Sequence, residues 1–319
     1  MSAGSARRLA TVGALAAALA LGGCAAPQSA ALRAPAGTPL AAIVEALPRQ
    51  ASVPGVPFHP QEDYQCGPAS LAMALGALGR ERTPESLTDA VYLPARRGAL
   101  QAEMLALPRR EGLLAIRAPG ELAALLRLVA DGHAVVVFQN LGLAIAPVWH
   151  YAVLIGYDLD AGRVVLHSGT SASLPLSLDT FERTWARAGH WAMVVTTPAR
   201  IPAAASQQEA LRAAVALERS DRAAALAAYE ALRARAPADR LTRFALANAL
   251  LAQERPREAS QAYRDLLGRH PDFADGWNNL AHAFERLGQR DAARQAAARA
   301  VAIGGPGIDA YRQTAERLR

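Results

Sequence analysis

The chain has 319 residues, of which 52% are hydrophobic and 19% are charged. This length is enough for two domains of ordinary size, and the composition is that of a globular protein, which excludes extended disorder over most of the chain. The formal net charge is +6, and the basic residues are spread along the whole sequence. Because nucleic-acid binding needs a concentrated basic patch to neutralise phosphates, no nucleic-acid partner is expected.

The N-terminus is arranged like an export signal. A basic pair, Arg7 and Arg8, precedes an apolar run over residues 9–21, which is shorter than the roughly 20 residues of a membrane-spanning helix. The run ends in Leu-Gly-Gly-Cys, with Cys24 as the last residue. This ending resembles a bacterial lipoprotein signal, and an ordinary cleaved signal with an incidental cysteine is the alternative.

The lipoprotein resemblance implies a location for the protein. It implies that residues 1–23 are removed and that Cys24 is acylated, so that the lipid is the only membrane contact. Ala25 follows Cys24, and a residue other than Asp at this position implies the outer membrane. We therefore expect a protein of the bacterial cell envelope that faces the periplasm, with residues 24–50 as a flexible tether rich in Ala, Pro, Ser and Gly.

Residues 51–200 are predicted to form an α+β domain. Pro68 suits the first position of a helix, and apolar residues follow it at helical spacing. Further along, short apolar runs replace the helical patterns, and Asp-Leu-Asp-Ala-Gly at residues 158–162 predicts a turn between two strands. Helices followed by an antiparallel sheet define the α+β class. The predicted helices cover residues 68–78, 84–92, 101–111 and 121–130, and the predicted strands cover residues 134–138, 151–157, 163–167 and 191–196.

Residues 203–319 are predicted to form about three tetratricopeptide repeats. Ala225, Ala259 and Ala293 are spaced by one common period, and Tyr229 and Tyr263 by the same one. That period is the length of this helix-turn-helix repeat, in which small residues let the paired helices approach closely. An alanine-rich helical bundle is the alternative. Stacked repeats form a curved surface, so a protein partner is expected there.

Cys66 is the only thiol that remains if Cys24 is acylated. In an exported protein an unpaired thiol indicates reactivity or intermolecular pairing, and a buried packing residue is the plain alternative. The predicted helix begins just after Cys66. Its N–H groups and dipole are therefore expected to lower the pKa of the thiol below the usual value of about 8.5 and to make Cys66 a nucleophile.

A cysteine nucleophile needs a proton acceptor, and His150 is the leading candidate. It stands at the start of an apolar strand, where it can face the beginning of a helix across a cleft. The histidines show no metal-binding pair of the His-Glu-x-x-His type, so no metal and no other cofactor are expected. Any histidine can instead be a structural residue held by hydrogen bonds. The other histidines considered are His59, His133, His167 and His190.

Two sequence blocks carry a resemblance to a known family. Gln61 with Gln-Cys-Gly-Pro-Ala-Ser at residues 65–70, and His-Tyr-Ala-Val-Leu-Ile-Gly-Tyr-Asp at residues 150–158, resemble the papain-like peptidases that process double-glycine leader peptides of bacteriocins. The resemblance covers residues 53–198 and implies a papain-like fold. It also implies that Cys66 is the nucleophile, that His150 is the general base, and that the Gln61 amide and the Cys66 N–H stabilise the oxyanion.

The third catalytic residue is where the chain departs from this family. The family places an acidic or amide residue at the end of the strand after the histidine strand, and here His167 or Ser168 occupies that place. Either residue could orient His150 by accepting its ring N–H. Asp158 is the nearest acid but belongs to the preceding turn, and Asn140 in a strand-end loop is a further polar candidate.

The function implied is that of a cysteine peptidase, which hydrolyses amide bonds of peptides or proteins through a thioester. It would be part of an exported lipoprotein whose repeats bind a protein partner. One alternative is a thiol-dependent acyl or peptidyl transferase of the same fold, in which an amine or a thiol resolves the thioester. Another is a non-catalytic scaffold that only binds peptides, which the missing third carboxylate favours.

Overall fold

The computed structural model describes residues 26–33, 47–61, 65–93 and 98–319. The predicted signal, Cys24 and most of the predicted tether lie outside the described residues. The chain divides into two compact units, residues 1–100 with 118–194 and residues 101–117 with 195–319. Across the described ranges, no helix is both long enough and apolar enough to cross a membrane.

The part of the chain up to residue 196 has mixed α/β structure, and it contains every helix and strand predicted for it. Among the described residues, seven further elements were not predicted: the helices Pro27–Leu32 and Leu178–Ala186, and the strands Gln50–Ser52, Tyr92–Leu93, Gly98–Ala99, Leu114–Arg117 and Ser171–Ser177. In chain order the elements are α1 (Pro27–Leu32), β1 (Gln50–Ser52), α2 (Cys66–Gly76), α3 (Pro84–Val91), β2 (Tyr92–Leu93), β3 (Gly98–Ala99), α4 (Gln101–Arg110), β4 (Leu114–Arg117), α5 (Leu122–Ala130), β5 (Val135–Asn140), β6 (Trp149–Asp158), β7 (Arg163–Ser168), β8 (Ser171–Ser177), α6 (Leu178–Ala186) and β9 (Ala192–Thr196).

An antiparallel sheet organises the first unit. Its strands follow the order β9-β5-β6-β7-β8, and β1 pairs with the far end of β6. The start of β6 lies beside the end of β5, where Gln139 pairs with His150. On the other side of β6, Val153 pairs with His167. This register brings the start of β6 close to the end of β7, where Ser168 is the last residue.

The helix α2 is the central helix of the first unit. Residues 67–75 are all buried, so the helix has no solvent-facing side over this length. Burial of one large apolar side chain contributes about 1.5–3 kcal/mol, and several such residues hold the helix firmly in place. It begins at Cys66 rather than at the predicted Pro68, because Ala69 N donates to Gln65 O at 3.0 Å and closes the first turn earlier. Cys66 is therefore part of the helix.

The expected flexible tether is corrected for residues 26–33, which contain the short helix α1. The backbone nitrogens of Gln28 and Ser29 donate to the Glu182 carboxylate at 2.9 and 2.6 Å, and Ser29 Oγ donates to Asp179 at 2.5 Å. Glu182 is only 2% exposed. A carboxylate that is 153 residues away thus satisfies the first N–H groups of α1, and local composition does not reveal such a cap.

Two of the unpredicted elements, β8 and α6, can be explained from the structure. Pro175 lies within β8 opposite Val165, which is possible because β8 is at the end of the strand order, where a missing N–H breaks no ladder. The Ser177 side chain caps α6 by accepting from Thr180 N at 3.2 Å. The polar residues that flank this short helix make it look like a loop in sequence.

The second unit is helical apart from β4. Ser220 Oγ donates to Arg109 O at 2.9 Å, so α4 is tied to the loop that follows the first repeat helix. Ala225, Ala259 and Ala293 are completely buried, which agrees with the close helix approach expected at the repeated positions. After α4 and β4, the helices are α7 (Gln207–Glu218), α8 (Arg222–Arg235), α9 (Arg240–Ala252), α10 (Pro256–Leu267), α11 (Ala274–Arg286), α12 (Arg290–Ile303) and α13 (Ile308–Arg317).

Candidate active site

Cys66 lies at the start of α2 with a partly buried side chain. The backbone N–H groups of Tyr151, Gly67 and Cys66 itself lie near its sulfur, where they act to lower the pKa of the thiol. The nitrogen of Tyr151 is bonded to the carbonyl carbon of His150. The thiol therefore lies against the segment of β6 that carries the predicted general base.

Burial raises the pKa of the Cys66 thiol, and the three backbone N–H groups lower it by less. This corrects the expectation that the helix start alone gives a low pKa. Removing the sulfur from water penalises the thiolate more than the helix N–H groups stabilise it. Cys66 is consequently a neutral thiol in the resting site at neutral pH.

His150 is the second residue of β6 and its ring lies next to Ser168. The distance from His150 Nε2 to Ser168 Oγ is 2.9 Å. Burial lowers the pKa of His150 to about 4, so its imidazole is uncharged at neutral pH and can accept a proton. Since Nε2 is engaged by Ser168, Nδ1 is the nitrogen left to exchange a proton with a substrate or with Cys66.

Of the two candidates for the third residue, Ser168 contacts His150 and His167 does not. His167 Nε2 lies 3.2 Å from Val56 O, and its ring packs edge-on against Phe58. Successive side chains of a strand point to opposite faces, so only one of these two neighbours can face His150. His167 is therefore a structural residue. Ser168 supplies an oxygen but no negative charge, which leaves the imidazolium less stabilised than a carboxylate would.

Gln61 is close to the site, but its side chain amide is already occupied. Its Nε2 donates to Ser70 Oγ and to Tyr151 O, both at 3.2 Å, and its Oε1 accepts from Gly169 N at 2.9 Å. Both hydrogens of Nε2 thus have acceptors. The expected role of Gln61 as an oxyanion donor stays a prediction, because a substrate oxygen would have to replace one of these two acceptors. Gln61 positions β6 against α2 and the turn after β7.

Tyr151 is the site residue that sequence reasoning missed. Its backbone N–H faces the Cys66 sulfur, and its hydroxyl donates to Ala99 O at 3.2 Å. Burial and the nearby Cys66 both raise the pKa of the Tyr151 phenol, so it stays protonated. Its position directly after His150 on an apolar strand was the signal available in the sequence.

The remaining sequence candidates have structural roles. Asn140 Oδ1 accepts from Gly142 N at 3.0 Å and from Val148 N at 2.9 Å, so Asn140 organises the loop between β5 and β6. Asp158 accepts from Ala161 N at 2.9 Å in the predicted turn. None of their hydrogen bonds involves the Cys66 and His150 side chains. Among the other histidines, His133 is buried and His190 packs against Trp185.

The described residues contain no group of three or more His, Cys, Asp or Glu side chains arranged to hold a metal ion. The side chains of the candidate site, Cys66, His150 and Ser168, offer a thiol, an imidazole and a hydroxyl. These groups act in nucleophilic catalysis on carbonyl carbons.

The comparisons with known proteins agree with this fold. Residues 53–193 match the model of the Peptidase_C39 like family, and residues 244–308 match the model of the tetratricopeptide repeat. Residues 53–193 thus form a C39-like domain that is followed by tetratricopeptide repeats, which confirms the predicted fold class. No curated protein matches the chain.

Two solved structures are similar to parts of the chain. The MamA protein has 15% identity and a TM-score of 0.33, with 35% of this chain and 62% of that chain covered. A protein described as a C39-like peptidase from Bacillus anthracis has 20% identity and a TM-score of 0.39, with 46% of this chain and 97% of that chain covered. The present chain thus spans less than two thirds of the MamA chain.

Proposed function

We propose that the first unit is a cysteine peptidase in a protein held at the bacterial outer membrane, on its periplasmic side, by a lipid on Cys24. The proposal rests on two observations: the Cys66 thiol lies near the backbone N–H of Tyr151, the residue that follows His150, and His150 Nε2 lies 2.9 Å from Ser168 Oγ. A nucleophile, a neutral base and a residue that orients the base form a catalytic triad.

The protonation states define the first step of the reaction. Thiol and imidazole are both uncharged, so the sulfur attacks the amide carbonyl carbon as its proton passes to Nδ1 of His150. The carbonyl oxygen becomes an oxyanion in a tetrahedral intermediate. The backbone N–H groups of Cys66 and Tyr151 are the donors we assign to this oxygen, because both already face the reacting sulfur.

The remaining steps return the site to its resting state. The imidazolium of His150 gives its proton to the leaving nitrogen, the C–N bond breaks, and a thioester remains on Cys66. A water molecule then loses a proton to His150 and attacks the thioester carbon. Cleavage of the C–S bond releases the carboxylic acid and returns the proton to the sulfur.

We assign partner binding to the repeats. A cavity of about 500 Å³ is lined by Asn248, Tyr263 and Asn279, together with charged side chains of the last helices. Amide and hydroxyl groups at the wall of a cavity can hydrogen-bond to the backbone of a polypeptide without specifying its side chains. A protein partner or the substrate polypeptide itself is the occupant we expect.

Two other functions use the same site. An acyl or peptidyl transferase would resolve the thioester with an amine or a thiol instead of water. A non-catalytic peptide-binding scaffold is favoured by one observation, the hydroxyl of Ser168 in place of a carboxylate. The peptidase and the transferase give different products, and the scaffold leaves the peptides intact.

A product analysis distinguishes them. The full chain is incubated with a peptide library, with and without added amine and thiol acceptors, and the products are identified by mass spectrometry. A peptidase gives hydrolysed peptides, which disappear in Cys66→Ala and in His150→Ala and persist in Ser173→Ala, a change at an exposed serine of β8. Ligated products would assign transferase activity, and intact peptides in every sample would favour the scaffold.

A further inference from the structure

The loop between β5 and β6 is an exposed apolar surface. Large hydrophobic side chains are exposed at eight positions of the described ranges, and five of the eight lie between residues 141 and 149. Ile145 is 92% exposed. Isolated exposed apolar residues are ordinary, but a contiguous group indicates a binding surface. We call these five residues the apolar rim: Leu141, Leu143, Ile145, Val148 and Trp149.

The loop that carries the rim is held in a defined conformation. Asn140 Oδ1 accepts from Gly142 N and from Val148 N, and Arg187 donates to Asn140 O at 2.9 Å. A Cβ atom at Gly142 would collide with Ala146 O, so the loop closes only with glycine here. The apolar residues are thus presented on a closed loop rather than exposed by a loose one.

The rim is continuous with the candidate active site. Trp149 stacks on Phe138 with ring centroids 5.2 Å apart, and the ring centroids of Phe138 and Tyr151 are 4.5 Å apart. The N–H of Tyr151 faces the Cys66 sulfur. The ring of Phe138 thus connects Trp149 of the rim with Tyr151, whose backbone N–H lies near the thiol. His150 stands between Trp149 and Tyr151 in the chain.

We propose that the apolar rim binds a hydrophobic side chain of the substrate next to the scissile amide. This inference rests on the proposed peptidase function and names its substrate class, which is polypeptides with an apolar residue beside the cleaved bond. Residues 141–149 contain no charged side chain, so a charged substrate residue would lose hydration there without gaining a partner. The rim thus disfavours a charged substrate side chain and favours a large apolar one.

The test uses covalent labels that report on Cys66 directly. The full chain is treated with two peptidyl chloromethyl ketones that differ only in a Leu or an Asp side chain next to the reactive carbon. Iodoacetamide, which is too small to need the rim, measures the reactivity of the thiol alone. The rate of Cys66 modification is followed by intact-protein mass spectrometry for each reagent.

We expect the Leu reagent to react faster than the Asp reagent, by on the order of tenfold, the effect of a modest apolar contact. Ile145→Asn should slow only the Leu reagent, by roughly fivefold, and Trp149→Ser should do the same. Ile145 is almost fully exposed, so its replacement is not expected to affect folding. The matched control is Leu241→Asn, a 55% exposed leucine of the repeats, which should change no rate.

The outcomes separate this inference from the peptidase proposal. Equal rates for the Leu and Asp reagents, or unchanged rates in Ile145→Asn, would overturn the role of the rim while leaving the peptidase intact. If the peptidase proposal is wrong, the wild type will show no peptide hydrolysis. Binding of the wild type but not of Ile145→Asn to phosphatidylcholine vesicles, without reagent preference, would assign the rim to a membrane instead.

Discussion

Burial decides the charge state of the reacting residues. The Cys66 thiol has a raised pKa and the His150 imidazole has a pKa lowered to about 4, and desolvation is the largest cause in both. Each shift disfavours the charged form, so the pair rests as neutral thiol and neutral imidazole. The thiolate–imidazolium pair must therefore form during the reaction. A bound substrate that excludes water from the site changes the free energy of forming this pair.

Replacing Ser168 tests the residue that orients the imidazole. Ser168→Ala removes the oxygen 2.9 Å from His150 Nε2 and should lower kcat by on the order of tenfold with little change in KM. Ser168→Asp adds a negative charge there, which raises the pKa of His150 and moves the acid limb of the kcat/KM profile to higher pH. The measurement is the pH profile of peptide cleavage.

The matched control for this experiment is Ser173→Asp, an exposed serine on the neighbouring strand β8. It adds the same charge without the contact to His150, so its profile should follow the wild type. If the pH profile shifts equally in both aspartate variants, the added negative charge causes the shift wherever it is placed, and contact of residue 168 with His150 does not.

The depressed pKa of His150 predicts a pH dependence of stability. Between pH 6.5, the ordinary value, and about 4, the unfolded chain binds a proton at this position that the folded chain does not. The contribution of His150 to the free energy of unfolding should therefore be constant above pH 6.5 and fall by roughly 3 kcal/mol as pH drops through this window. Urea unfolding at several pH values measures it.

The comparison for this prediction is His150→Gln, which keeps a polar side chain but cannot titrate. The difference between wild type and variant isolates His150 from the other titrating groups. A difference that does not change between pH 7 and pH 4 would show that His150 titrates normally in the folded chain.

Among the elements, α1 carries the largest correction to the sequence reading. Its first N–H groups donate hydrogen bonds to the buried carboxylate of Glu182 in α6. Glu182→Ala would leave these donors without an acceptor and should lower the free energy of unfolding by about 1–3 kcal/mol. Amide hydrogen exchange of residues 26–33 should also become faster. Asp160→Ala, which breaks only the exposed pair with Arg49, should change stability by less than about 1 kcal/mol.

Elements with a strong periodicity could be predicted from sequence, and long-range contacts could not. The repeats were predicted because Ala225, Ala259 and Ala293 mark a period that needs no knowledge of the fold. Strand β8 was missed because Pro175 looks like a breaker until its edge position is known. The short helix α1 depends on a residue from a distant part of the chain.

The candidate site divides in the same way. Cys66 and His150 were found from residue type and from a family resemblance, and Ser168 was left open against His167. Side-chain direction along β7 decides between these two, and it follows from strand register. The occupied amide of Gln61 depends on Gly169, 108 residues away, so its role needed the structure.

At the scale of the whole molecule, the proposed function assigns catalysis to the first unit and recognition of a polypeptide to the repeats. The two compact units have their own buried residues, and the candidate catalytic groups all lie in the first. If the repeats recruit a polypeptide, they should affect the cleavage of long substrates only. Short peptides that fit the apolar rim and the thiol should be independent of them.

A charge placed in the repeat cavity tests this separation. Ala252 is exposed at the end of α9 and lines the cavity of about 500 Å³, so Ala252→Arg should fill part of it without disturbing the helix. We expect KM for a protein substrate to rise by on the order of tenfold, while kcat/KM for a short peptide stays unchanged. Ala223→Arg, at an exposed alanine of α8 that does not line this cavity, is the control. If Ala252→Arg slowed short peptides as much as proteins, the cavity would belong to the stability of the molecule and not to recognition of its substrate.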